Sequence, residues 1–188
     1  SDGHDHIRAR LLYKKEGDGE HAIEQLRRAV ELFPYYTAAG NPYEQLAELY
    51  EARGDKKAAA DILEAPARYN ETNADAFARL ARLKLALGDR AGALEALKTT
   101  FYIQPFDASL HKLAGDVYFE SGNTAEAAKE FRVLIALEPP DLAQAHYDLA
   151  RSLDASGNHA DARRAVLRAL EIAPGFEKAQ ELLLKLRG

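Results

Sequence analysis

The sequence contains no cysteine and no methionine, and each absence removes a class of reading. Without cysteine there is no disulfide and no thiolate metal site. A chain free of thiols fits any compartment, so location stays open. Without methionine, even at residue 1, the chain is expected to be a processed form or a segment of a longer protein. Long apolar runs are missing too. The stretch Leu182-Leu183-Leu184 falls far short of the roughly 20 residues that a membrane-spanning helix needs, so no membrane insertion is expected. No basic start followed by an apolar segment marks a signal peptide. An excess of positive charge is also lacking. The net charge of −5 argues against nucleic acid or an anionic membrane surface as the main partner.

The usual signatures of catalysis are absent as well. The glycines recur singly, so they build no phosphate-binding loop, and no HExxH pair occurs. Ser109, Ser121, Ser152 and Ser156 have no nucleophile context. His4-Asp5-His6 is the one dense histidine cluster, and it lacks the further ligands and rigid spacing of a metal site. The other histidines, His21, His111, His146 and His159, are scattered, and the carboxylates follow the spacing of solvated helix faces. No catalytic residue, cofactor or metal is expected.

What the sequence does have is a lattice. Gly17, Gly54, Gly88, Gly122 and Gly157 recur at spacings of 37, 34, 34 and 35. A short polar residue follows each: Asp18, Asp55, Asp89, Asn123 and Asn158. Five residues after each glycine stands an alanine (Ala22, Ala59, Ala93, Ala127, Ala162). Four further on stands a large apolar residue (Leu26, Leu63, Leu97, Phe131, Val166). Pro34, Pro105, Pro139 and Pro174 close four of the five units. Glycine takes the left-handed conformation that ends one helix, and Asp or Asn caps the next. Asn123 with Glu126 and Asn158 with Asp161 read as capping boxes. The alanine lets two helices approach, the large residue fills the gap, and proline stops the second helix. The first helices have starts of their own: Asn41-Pro42, Asn73, Asp107 and Asp141. Helical spacing puts Leu110, Ala114, Val117 and Tyr118 on one face.

These positions resemble the tetratricopeptide repeat family. The unit Ala108–Asp141 carries Ala114-Gly115, Tyr118, Gly122, Ala127, Phe131 and Pro139 at the family's spacings. The unit Ala143–Phe176 matches through Leu149-Ala150, Gly157, Ala162, Ala169 and Pro174. Ala74–Asp107 matches through Leu80-Ala81, Gly88, Ala93 and Pro105, and Gly40–Asn73 through Leu46-Ala47, Tyr50, Gly54 and Ala59. The resemblance implies an all-α fold: a right-handed α-solenoid of antiparallel helix pairs, one array over 1–188. Its repeats would run at about 3–36, 40–73, 74–107, 108–141 and 143–176, with a capping helix at 176–187. That gives about eleven helices. In the capping helix Ala179, Leu182, Leu183 and Leu186 share one face. His111 and His146 occupy equivalent slots where the family places bulky packing residues. Three departures are expected to show. Arg10 sits in a slot that is small elsewhere (Ala47, Ala81, Gly115, Ala150). Extra residues precede units two and five, at 34–40 and at Pro139-Pro140. Pro66 should end or kink the second helix of unit two.

The resemblance also implies a use. First helices line the concave face of such arrays. Their residues turned from the core include Glu44, Glu48 and Glu51; Arg79, Arg82 and Leu85; Lys112, Asp116 and Phe119; and Tyr147, Asp148, Arg151 and Asp154. On this reading Arg79, Arg82, Lys112 and Arg151 take acidic groups of a peptide and Phe119 an apolar anchor, while Asp116, Asp148 and Asp154 are placed to compete for the same cations. The Lys–Asn pair that begins the family's carboxylate clamp for chaperone tails is missing, so that function is not carried over. The expected function is a protein–protein interaction module or scaffold that binds a peptide or partner protein in the groove. The alternative is the accessory C-terminal part of a larger enzyme, such as a bacterial metallopeptidase, in which case the partner includes the rest of the parent chain.

Overall fold

The computed structural model describes residues 19–38, 40–69 and 73–186. Among them the chain forms ten helices, described in two compact units that divide between Ile103 and Gln104. The N-terminal unit holds α1 (Gly19–Leu32), α2 (Pro42–Ala52), α3 (Lys56–Tyr69), α4 (Ala74–Ala86) and α5 (Arg90–Ile103). The C-terminal unit holds α6 (Ala108–Glu120), α7 (Thr124–Ala136), α8 (Leu142–Ala155), α9 (His159–Ile172) and α10 (Glu177–Lys185). Within each unit every helix packs on the next in the chain. The expected first helix of unit one, with Arg10, Gly17 and His4-Asp5-His6, lies outside the described residues.

The turns work as the glycine lattice predicts. Gly54, Gly88, Gly122 and Gly157 have φ of 79°, 83°, 77° and 81°, the left-handed region where a side chain is strained. The residue after each donates its N–H to the carbonyl five positions back. These bonds are Asp55 to Tyr50 (2.9 Å), Asp89 to Lys84, Asn123 to Tyr118 and Asn158 to Leu153 (2.8 Å each). Each closes the preceding helix in a Schellman motif. Asp55, Asp89 and Asn158 then cap the next helix through their side chains. Asn41, Asn73, Asp107 and Asp141 do the same for α2, α4, α6 and α8.

Two expectations are corrected. Asn123 makes no side-chain cap, so no capping box forms with Glu126. The Glu126 carboxylate turns forward to Lys129 instead of reaching back. Nor does Pro66 end its helix early: α3 continues through it to Tyr69. The proline sits in the last turn, so its missing N–H removes one bond, to the Ile62 carbonyl. Its ring is fully buried, which offsets the loss. The extra residues do lengthen connections. Nine residues, 33–41, join α1 to α2, against four between α5 and α6. The connection at Pro139-Pro140 has five, and in it Glu138 is the one described non-glycine residue with positive φ, at 51°.

The core follows the lattice. Ala59, Ala93, Ala127 and Ala162 are buried, as are Leu63, Leu97, Phe131 and Val166 one turn on in the same helices. Gly115 stands where other units have Ala47, Ala81 and Ala150, and the Phe131 ring lies directly against it. His111 is buried, with Nε2 donating to the Pro105 carbonyl (2.9 Å) and Nδ1 beside Glu130 (2.7 Å). His146 is half-buried. Burial first, then the nearby Arg168 charge, push its imidazole below its ordinary pKa. In α10 only Ala179 is fully buried, while Leu182, Leu183 and Leu186 pack partly onto the core of the C-terminal unit.

Candidate functional site

The first-helix residues of the C-terminal unit come together on α6 and α8. Helical spacing places Lys112, Asp116 and Phe119 in one row of α6, at offsets of four and three. Asp148 and Arg151, three apart, face that row from α8. Lys112 Nζ lies 2.8 Å from Asp116 and 3.7 Å from Asp148. Arg151 lies 2.9 Å from Asp148 through Nε and 3.5 Å from Asp116 through Nη2. Its guanidinium carbon sits 4.1 Å from the centroid of the Phe119 ring, a cation–π contact. Two cations and two carboxylates thus form one cluster with no net charge.

Asp148 is the surprise in this cluster. Sequence spacing turns it away from the core, yet its side chain is 2% exposed. Burial pushes its carboxyl above the ordinary aspartate range, and Arg151, then Lys112, then a 3.0 Å hydrogen bond from Gln144 Nε2 pull the other way. Tyr147 is likewise less a groove residue than expected. Its ring stacks at 5.1 Å and 53° on Phe176, which leads into α10, and it packs against the core. Asp154, at the end of α8, accepts from Lys185 (2.6 Å) and from His159 Nδ1 (2.8 Å), tying α8 to α10 and α9. The hydrogen bond from Lys185, and then that from His159, hold its carboxyl below the usual range.

In the N-terminal unit the same kind of residue is also engaged. Glu44 accepts from the Gly40 N–H (3.0 Å), Asn41 Nδ2 (3.0 Å) and Asn73 Nδ2 (2.7 Å), so it staples the caps of α2 and α4 together. Arg79 donates to Glu51 (2.6 Å) and lies 3.7 Å from Glu48. Arg82 is exposed and makes no ion pair among the described residues, and Leu85 beside it is half-buried. The stapling role of Glu44 and the Tyr147–Phe176 contact each need the neighbouring helix in place, so spacing alone does not show them. No group of three or more potential metal ligands occurs among the described residues, and none of their helices is long and apolar enough to cross a membrane.

The profile of the bacterial transcriptional activator domain matches residues 4–138, well over half of the chain. The chain belongs to this family. Residues 112–175, which include the whole α6–α8 cluster, match the tetratricopeptide repeat profile. Among solved structures, YrrB, described as a tetratricopeptide protein with an unusual peptide-binding site, is 22% identical, with 94% of this chain and 89% of that one covered at a TM-score of 0.72. A MamA structure is 19% identical over 88% of each chain, TM-score 0.71. A tetratricopeptide repeat protein from Parabacteroides merdae is 19% identical over 97% of this chain and 71% of its own, TM-score 0.69. At these identities the likeness shows the fold alone. No curated protein sequence matches the chain.

Proposed function

We propose that this chain is a non-catalytic module that binds a peptide or protein partner, and that the α6–α8 face of the C-terminal unit is a contact surface. The observation that carries this reading is the cluster of Lys112, Asp116, Phe119, Asp148 and Arg151. An aromatic ring and four charges are gathered on first helices, around a position where a purely structural repeat would need none of them. Repeat modules act by contact. The peptide-binding site described for YrrB is in keeping with this reading. In the N-terminal unit, Arg82 and Leu85 form a second, smaller candidate contact. The finer sequence expectation, that the basic residues receive acidic groups, needs revision in the C-terminal unit, where Asp116 and Asp148 already neutralise Lys112 and Arg151. The family match favours a parent protein that regulates transcription over a metallopeptidase, with this chain contributing protein contacts. Its net charge of −5 suits that role better than contact with DNA.

The test has two stages. Proteins from the source organism are captured on the immobilised chain and on a Phe119→Ala, Arg151→Ala variant whose circular dichroism melt matches that of the parent. Peptides tiling each captured protein are then titrated against both by fluorescence anisotropy. A peptide that binds the parent and binds the variant at least about tenfold more weakly supports the reading. Equal affinity for the two places the contact surface elsewhere.

A further inference from the structure

Arg151 is oriented, yet it makes no hydrogen bond. Its Nε is buried without a hydrogen-bond partner and holds Asp148 Oδ1, 2.9 Å away, as an ion pair only. The 3.5 Å separation from Asp116 is an ion-pair distance with no bond formed. Asp148 Oδ2 is likewise buried and unbonded. The guanidinium lies over the Phe119 ring, 4.1 Å from Cζ to the centroid. The face therefore presents a held, planar donor within a cluster whose four charges cancel.

That combination selects among ligands. A carboxylate brought to Arg151 meets Asp116 and Asp148 at the same guanidinium, and like charges in a half-buried site oppose it. A cationic side chain finds the face of Phe119 already covered by Arg151. A neutral carbonyl oxygen accepts from the Nη N–H groups, since Nε is buried, and disturbs no charge. We propose that the α6–α8 face binds an uncharged, extended peptide segment through its carbonyl oxygens, either backbone amides or Asn and Gln carboxamides, received by Arg151. This rests on the contact-surface reading above and reverses its original charge preference.

The experiment uses the full chain and three fluorescent peptide pools of equal length that share apolar positions and differ at the rest, which are Asp/Glu, Asn/Gln or Lys. The neutral pool is expected to bind best, with less than about a twofold change between low and high salt. Arg151→Lys keeps the charge and removes the fork, so it should weaken neutral-pool binding about tenfold or more. Asp116→Asn is close to isosteric and leaves the cluster with one net positive charge, so it should raise binding of the acidic pool. Matching thermal melts establish that both variants fold. If the acidic pool binds the parent chain best, weakens steeply with salt and depends on Arg151, this inference is overturned while peptide binding at the face stands. If no pool binds, or binding is indifferent to both Arg151→Lys and Phe119→Ala, the inference and the contact surface fall together.

Discussion

Gly115 and Phe131 are a matched pair, and the match can be measured. A Cβ added at Gly115 would lie 2.6, 2.8 and 3.0 Å from three atoms of the Phe131 ring. Ordinary carbon contacts are about 3.5–4.0 Å, so the ring would have to move by roughly 1 Å. It has nowhere to go, because Phe131 is fully buried among Ala127, Leu134, Leu149 and Ala150. Such overpacking costs about 1–3 kcal/mol. Alanine in place of glycine in a helix interior returns about 1 kcal/mol. Gly115→Ala should therefore leave the C-terminal unit unchanged or destabilised by up to about 2 kcal/mol. The equivalent positions elsewhere pair a larger small residue with a smaller large one: Ala47 with Leu63, Ala81 with Leu97, Ala150 with Val166. Phe131→Leu should recreate that arrangement. In its background Gly115→Ala should stabilise by the full helical gain of about 1 kcal/mol, which gives a coupling of about 1–3 kcal/mol between the two sites. The assay is urea unfolding of the four proteins by circular dichroism, compared at equal m because repeat arrays can depart from two-state behaviour. A Gly115→Ala that stabilises both backgrounds equally would refute the packing argument.

Four further outcomes are expected. Glu138→Gly relieves a left-handed residue in the α7–α8 connection and should raise stability by about 0.5–1 kcal/mol in the same urea assay. Pro66→Ala restores a donor for the Ile62 carbonyl but loses a buried ring, so its gain should be about 1 kcal/mol rather than the roughly 3 kcal/mol of an exposed helix interior; a lowered urea midpoint would count against this. Asn73→Ala removes both the cap on Ala76 (3.1 Å) and the link to Glu44, and should cost about 1–2 kcal/mol, read as a drop in the thermal midpoint. Titration of stability with acid should separate two aspartates of opposite sign. Asp154 has a folded pKa below its ordinary 3.8, so its contribution is present above that value and lost as pH falls through the folded one, and Asp154→Asn should flatten this limb. Asp148 has a folded pKa above 3.8, so as pH falls from neutral through that folded value it adds stability, and Asp148→Asn should remove the rise.

The elements themselves were legible because each is punctuated locally. A left-handed glycine, the cap residue after it and a small residue five positions on are all properties of one stretch of chain. Four described turns formed as their sequence indicates. Asn123 shows the limit of this local reading, because it has the same turn as Asn158 and yet makes no side-chain cap. Pro66 escaped because the cost of a proline depends on how near the helix end it falls and on what its ring touches. The site was legible by position only. Spacing shows that Lys112, Asp116 and Phe119 share a row, while the register of α6 against α8 decides that Asp148 is buried between two cations. Tyr147 and Glu44 show the same limit: one is used by Phe176, the other by Asn73, both from neighbouring elements.

One signal for that neutralisation does lie in the sequence, six residues before each turn glycine. The position reads Glu48, Arg82, Asp116 and Arg151, so its sign alternates along four successive units. Successive first helices that lie side by side bring equivalent positions near one another. Like charges there would repel, and opposite charges attract across about one helix spacing. Asp116 and Arg151, 3.5 Å apart, are one such pair realised within a single unit of the structure. That pair spends its charge inside the C-terminal unit, at a surface-pair energy of about 0–1 kcal/mol, whereas Glu48 lies by Arg79 and Arg82 makes no ion pair among the described residues. What remains is geometry, a guanidinium over an aromatic ring. If the proposed contact is made, the groups on this face should act on a partner as directed hydrogen-bond donors more than as charges.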